Sequence, residues 1–430
     1  MASAAVELAR YVRHDGTQIQ SIEVNRRLAS MWFAWSLRPL TWQLPNAWDE
    51  FAGDYPTGDG WIKLHTNAPH HKAAALTVLG PVASRDALAA KVATWQADDL
   101  EQAVVDAGGC AATLRTQQQW LAHPQGLAVN QEPLLHWQTV GRCDTTPTRS
   151  LSNEVNPTSV AQPLAELKVL DLTRVLAGPV AGRFLAGYGA QVLRIDPPDW
   201  EEPGVVPEVT LGKRCAGLDL KTPQDRQRFD ALLANADVLL HGYRADALET
   251  LGYDRARLTR INPQLIDVCL NAFGWSGPWR NRRGFDSLVQ MSCGIADHGM
   301  RMSNAQRPTP LPVQALDHAT GYLLAAATLR ALSARREGYV LSAKTSLARV
   351  AALLQTTQRT DIGPGISDET GADRAPAIEP TAWGDAQRLR WPIKLSVLST
   401  TTSTDTETIA ASWAIPAGAL RSSPAQWGDA

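Results

Sequence analysis

The sequence predicts an α/β protein in two unequal parts: a large domain on an open, mostly parallel sheet, and a second, smaller α/β domain. Three observations carry this. From Leu167 to Leu347, apolar strand-like runs alternate with helical runs, the pattern of a parallel sheet with helices on both faces. A shorter set of strand and helix signals occupies residues 59–122. Between the two sets, residues 141–166 carry Thr145-Thr-Pro-Thr148 and Asn156-Pro157 without any hydrophobic period, which is linker composition.

Length and charge narrow the function classes. A chain of 430 residues is long enough for two cores. Its formal net charge is −2, with both signs interspersed, which argues against a nucleic-acid or membrane-surface footprint. No apolar run approaches the roughly 20 residues that span a bilayer. Met1–Arg13 lacks the basic and apolar regions of a secretory signal, so the expected compartment is the cytoplasm. Cys110, Cys143, Cys215, Cys269 and Cys293 include no Cys-x-x-Cys pair, which fits reduced thiols better than disulfides or a metal site. His65, His70 and His71 match no familiar ligand spacing and are assigned to the surface or a helix start, so no metal is expected.

Taken in order, residues 1–140 comprise a Trp-rich extension followed by the small domain. Residues 60–66 alternate as a strand. Pro69 opens a helix to Leu79, Ser84 caps a second, and Ala97–Ala107 forms a third, followed by a short strand at Ala111–Arg115 and a helical turn at Gln117–Ala122. The large domain is assigned to residues 167–360. Leu167–Leu172 is a strand, Pro179 stands at a first helical position, Val180–Tyr188 is a helix, and Gln191–Ile195 is the next strand, giving a βαβ unit. The alternation continues with strands at Leu218–Leu220, Asp237–His241 and Leu265–Leu270, a helix from Pro223 to Asn235, and a short helix at Ala245–Leu251. Such a sheet is Rossmann-like in kind, although the turn at Thr173–Val180 lacks Gly-x-Gly-x-x-Gly. Residues 361–430 turn polar and are expected to wrap the outside as a tail.

Asp317 stands at the start of an Ala-rich helix that runs to about Arg336. Two roles are open to it. As an N-cap it would stabilise the helix by about 0.5–2 kcal/mol, and the helix dipole would favour its ionised form by roughly 0.3–1 kcal/mol. An ionised carboxylate in a cleft is also a nucleophile for acyl groups. Local chemistry does not separate the two.

A wider pattern does. The stretch Leu167-Lys-Val-Leu-Asp-Leu-Thr-Arg-Val-Leu-Ala-Gly-Pro179, with Gly212-Lys-Arg214, Leu251-Gly-Tyr253, Asn262-Pro263, Arg283-Gly-Phe-Asp286 and Asp317-His-Ala-Thr-Gly321, resembles the family III CoA-transferases over about residues 165–350. The resemblance implies that Asp317 is the catalytic nucleophile and carries an aspartyl-CoA thioester while CoA moves from an acyl-CoA to a carboxylic acid. It implies that Asp286 is a second acidic group of the active site, that Val175, Lys213, Tyr243 and Arg283 contact CoA, and that the chain forms an interlocked homodimer. Residues 54–137 resemble the family's small domain, which here precedes the large one. Thr250 and Pro198 stand where basic CoA contacts are common, and Glu337-Gly-Tyr339 replaces a glycine-rich ending. Two alternatives follow: a non-catalytic CoA-binding subunit, or an acyl-CoA racemase. The racemase reading needs a histidine where this chain has Phe285, and phenylalanine cannot act as a base.

Overall fold

The computed structural model describes residues 1–13, 17–143, 162–357, 365–398 and 406–428. Most of the expected linker, residues 144–161, lies outside the described residues.

A seven-stranded sheet organises the large part of the fold. Its strands are β1 (His136–Arg142), β2 (Lys168–Leu172), β3 (Gln191–Asp196), β4 (Lys213–Gly217), β5 (Val238–His241), β6 (Ile266–Asn271) and β7 (Tyr339–Ser346). Their spatial order is β1-β7-β6-β5-β2-β3-β4. All neighbours are parallel except β1, which runs antiparallel along β7. From β2 the chain winds outward through β3 and β4, then returns to the other side of β2 for β5, β6 and β7. Strand order therefore reverses between β2 and β5, where the connections diverge and leave a crevice at the strand ends.

Alternation along the strands builds two cores. Val169, Val192, Val238 and Leu240 enter one core with helices α1 (Ala177–Gly187) and α5 (Ala315–Arg336). Leu170, Leu172, Leu193, Ile195 and Leu239 enter the other with α2 (Pro223–Ala234) and α3 (Arg255–Ile261). Helix α5 presses close to α1: a Cβ on Gly321 would lie 2.4 Å from the Ala177 carbonyl oxygen. Only glycine fits there without moving a helix.

The predicted strand at Leu218–Leu220 is not formed. Its place in the sheet is taken by β4 at Lys213–Gly217. A buried lysine interrupts the apolar pattern that marks the other strands, because Lys213 enters the core paired with Asp171. Helix α1 also begins earlier than expected, at Ala177, which places Pro179 at its third residue.

The smaller α/β unit has its own core of Phe51, Tyr55, Ile62, Leu64, Leu88, Leu100 and Val104 around a three-stranded antiparallel sheet. It packs on α4 (Asp286–Ser292), with Cys110 and Ala112 against Leu288 and Met291. Glu101 reinforces this contact by pairing with Arg115 of its own unit and with Arg282 at 2.9 Å.

The tail assignment is corrected. Residues 374–381, 384–389, 393–398 and 406–409 are strands, and Ile393, Leu395, Val397 and Ile409 are buried in the main core. Their partners come from the other end of the chain, where Ile19–Val24 pairs with Ile393–Leu398 and Leu37–Pro39 with Gly384–Leu389. Ile19–Val24 and Leu37–Pro39 thus join the C-terminal strands rather than the small unit. Glu208 ties these segments together, accepting from Ser36 and pairing with Arg183 and Arg388, all buried.

Candidate active site

Strand β2 ends at Leu172, and the chain turns sharply into α1. Val175 in this turn has φ of 62°, a left-handed conformation that a β-branched residue rarely adopts. Surrounding groups hold it there. Its N–H donates to Glu202 Oε2 at 2.8 Å, and the same oxygen accepts from Trp200 Nε1 at 2.9 Å. The Val175 N–H, in the turn before the helix, is therefore already engaged within the protein.

The turn borders a cavity of about 340 Å³. Val175 and Gly178 line one wall, Tyr243 and Arg244 beyond β5 another, and Arg283 and Phe285 a third; Asp317 also opens into it. His70 and His71 of the small unit line the same cavity. Of the six residues that the resemblance implies, Val175, Tyr243, Arg283 and Asp317 share the cavity lining, with Asp286 bonded directly behind Asp317.

Lys213 does not join them. It is 2% exposed, and its Nζ donates to Asp171 Oδ2 at 2.8 Å and the Pro179 carbonyl at 2.9 Å. Burial pulls the ammonium pKa down, and Asp171 only partly opposes that pull. Burial would raise Asp171, but Lys213 and Thr173 outweigh it and keep the carboxyl below its ordinary value. The pair braces the β2–α1 turn from inside, and its ammonium has no path to a ligand phosphate.

Arg174 takes a cationic position that sequence reasoning missed. Its guanidinium lies 4.6 Å from the Trp200 ring centre and 5.2 Å from that of Tyr243, and it donates to the Tyr243 hydroxyl at 3.2 Å. The available signal was its place directly after β2, at the strand-order reversal. The aromatic partners lie 26 and 69 residues away, beyond any local window.

Asp317 is the third residue of α5 and does not cap it; Gln314, at the cap position, also makes no side-chain cap. Asp286 supplies the cap from α4: its Oδ2 accepts the Asp317 N–H at 3.0 Å, with a further backbone bond from Leu316. Gln290 steadies the arrangement, donating to Asp286 Oδ1 at 2.5 Å and accepting the Leu311 N–H at 2.7 Å. Two buried carboxyls consequently meet at one helix start. Burial pushes Asp286 up to about 6 despite these donors. Burial and the Asp286 charge push Asp317 well above the ordinary carboxylate range. The donors favour the ionised form at Asp286, which leaves the proton on Asp317. The expectation that capping keeps Asp317 ionised is thereby corrected: the helix start acts on Asp286.

Phe285 fills the space beside this pair. It stacks on His65 with centroids 3.8 Å apart and meets His71 edge-on at 5.8 Å. Burial lowers both imidazoles to about 3, so both are neutral at physiological pH.

The sequence matches a known class. Residues 164–382 match the family model described as CoA-transferase family III, and the chain belongs to that family. A probable fatty acyl-CoA transferase of Mycobacterium tuberculosis is 35% identical over 237 residues, covering 51% of this chain and 60% of that protein. The succinate–glutarate CoA-transferase of Agrobacterium fabrum is 33% identical over 172 residues, covering 36% and 42%. A crystal structure of the mycobacterial protein, in an orthorhombic form, aligns with a TM-score of 0.42 and 33% identity over 45% of this chain and 58% of that one. The chain thus spans 60% or less of the length of these two curated relatives.

Proposed function

We propose that this protein transfers CoA from an acyl-CoA to a carboxylic acid through a covalent thioester on Asp317. One observation carries the reading: among the described residues, Asp317 is the sole carboxylate in the lining of a cavity that also presents Arg174, Arg244, Arg282 and Arg283. A ligand with several phosphates suits the guanidinium groups, and its thioester end suits the buried carboxylate. Family membership and the names of the relatives support the same reaction class.

An oxygen of ionised Asp317 attacks the thioester carbonyl carbon, the C–S bond breaks, and CoA leaves as thiolate, giving an acyl-aspartyl anhydride. The thiolate then attacks the aspartyl carbonyl carbon and releases the donor acid as carboxylate. An acceptor carboxylate attacks the resulting aspartyl-CoA thioester and expels CoA thiolate. The thiolate attacks the acceptor carbonyl of the new anhydride, forming acceptor-CoA and freeing Asp317. Each leaving group is a carboxylate or thiolate, so no step requires a poor one. Asp317 must first lose its proton, and Asp286 is the adjacent carboxylate placed to influence that loss.

The implied CoA contacts at Val175, Tyr243 and Arg283 are consistent with their places in the cavity, and Arg174 joins them in this reading. Racemisation is disfavoured because it needs a second base near neutral pKa, whereas His71, in the same cavity, is held near 3. The protein is proposed to act as a cytoplasmic homodimer on an open Rossmann-like sheet. Intact-mass and peptide mass spectrometry after mixing with acetyl-CoA tests the reaction. A CoA adduct on the Asp317 peptide, lost in Asp317→Asn, is expected. An adduct on another residue, or full exchange activity in Asp317→Asn, overturns the proposal.

A further inference from the structure

A second cavity, of about 690 Å³, opens on the face of the sheet that carries Leu239 and α3. It shares no lining residue with the Asp317 cavity. His241 ends β5 and lies in register with Cys269 on β6, and Asp267 is two residues before Cys269. Residues two apart on a strand share a face, so imidazole, thiol and carboxylate converge at one place. One ligand atom from each lies within 4.8 Å of the others.

Their surroundings satisfy this cluster only in part. His241 is 8% exposed and Asp267 7%. Among the described residues His241 Nδ1 has no hydrogen-bond partner, and Asp267 Oδ1 has only the ion pair with His241 Nε2, at 3.2 Å. Arg255 occupies the other carboxylate oxygen, Oδ2, at 3.0 Å and leaves Oδ1 facing the cluster. Unsatisfied polar atoms in a buried site are costly and call for a ligand.

We propose that His241, Asp267 and Cys269 bind one divalent transition-metal ion of the zinc type, with the fourth position open to the cavity. One nitrogen, one carboxylate oxygen and one thiolate are the donors that such an ion takes in tetrahedral sites. The cluster also sits directly before Gly242, Tyr243 and Arg244, so a bound ion would pin the strand end from which these enter the other cavity. The expectation of no metal rested on the cysteine spacing and on His65, His70 and His71; His241, Asp267 and Cys269 are separated by 26 and 2 residues and form no recognised motif.

The test uses untagged full-length protein stripped with chelator, dialysed, and titrated with Co²⁺ and then Zn²⁺. One equivalent of cobalt, with a thiolate-to-cobalt charge-transfer band that zinc abolishes, is expected. The band should vanish in Cys269→Ser, survive in Cys143→Ser, and zinc affinity should fall at least about tenfold in Asp267→Asn. Absence of stoichiometric cobalt binding by the unaltered protein overturns the proposal, whatever the variants do. Persistence of the band in folded Cys269→Ser overturns it equally.

Discussion

Replacing Asp286 with asparagine separates the two jobs of that carboxylate, capping α5 and carrying charge beside Asp317. Its pKa rises on folding from the ordinary 3.8 to about 6. A raised acid binds more protons folded than unfolded across that interval. Its contribution is therefore fully present below the unfolded value and is lost as pH rises through 6. At about 1.36 kcal/mol per pH unit, the loss amounts to about 3 kcal/mol by pH 7. About 2 kcal/mol of that loss falls between pH 4.5 and pH 7.5. The asparagine variant would not suffer it, and its amide oxygen can still accept one backbone N–H. With an unfolding entropy of about 2.1 cal/mol/K per residue, 430 residues correspond to about 0.9 kcal/mol/K. The melting temperature of Asp286→Asn relative to the unaltered protein should then move upward by about 2 °C between pH 4.5 and pH 7.5. Differential scanning calorimetry at matched ionic strength measures it. A difference that stays flat, or moves downward with pH, refutes the assignment of a raised, buried charge to Asp286. The same substitution removes the charge that raises Asp317, so the rising limb of the pH–rate profile for adduct formation should shift to lower pH.

Other substitutions test the remaining assignments. Lys213→Met leaves Asp171 buried without its partner and should cost about 3–5 kcal/mol, seen as a lower melting temperature. A raised KM for acyl-CoA without any loss of stability would instead return Lys213 to the ligand. Arg283→Ala, at the exposed mouth of the cavity, should raise that KM about tenfold with kcat and melting temperature unchanged, and the effect should shrink in high salt. Gly321→Ala should cost about 1–3 kcal/mol by forcing α5 off α1. Because Gly321 lies one turn beyond Asp317, adduct formation should fall further than folding does; unchanged adduct yield would show that the close approach is not needed for aim.

The strands that pair in parallel were legible because Val, Leu and Ile supply both faces of β2, β3 and β5 and one face of β6, and burial of such residues is a local signal. β4 was hidden because its first residue is a buried lysine, whose partner Asp171 sits 42 positions earlier. The outer strands at 374–409 were hidden for a different reason. Their exposed faces are polar, and their N-terminal partners are hundreds of residues away. Asp317 and Arg283, which the motif singles out, line one cavity, while the cap on α5 was assigned to the wrong carboxylate. A cap from the same chain segment and one from a neighbouring helix leave similar traces in sequence, and only the fold separates Asp286 from Asp317.

The antiparallel pairing of Ile19–Val24 with Ile393–Leu398 also sets an order of events during synthesis. When Val24 leaves the ribosome, its partner Ile393 is roughly 370 residues from being made. At translation rates of about 5–20 residues per second the nascent strand waits about 20–75 s with an open edge. The parallel sheet, whose strands follow one another closely, can assemble in that interval. The first strands of the chain are thus among the last to be placed, and a holding chaperone would find its binding site there.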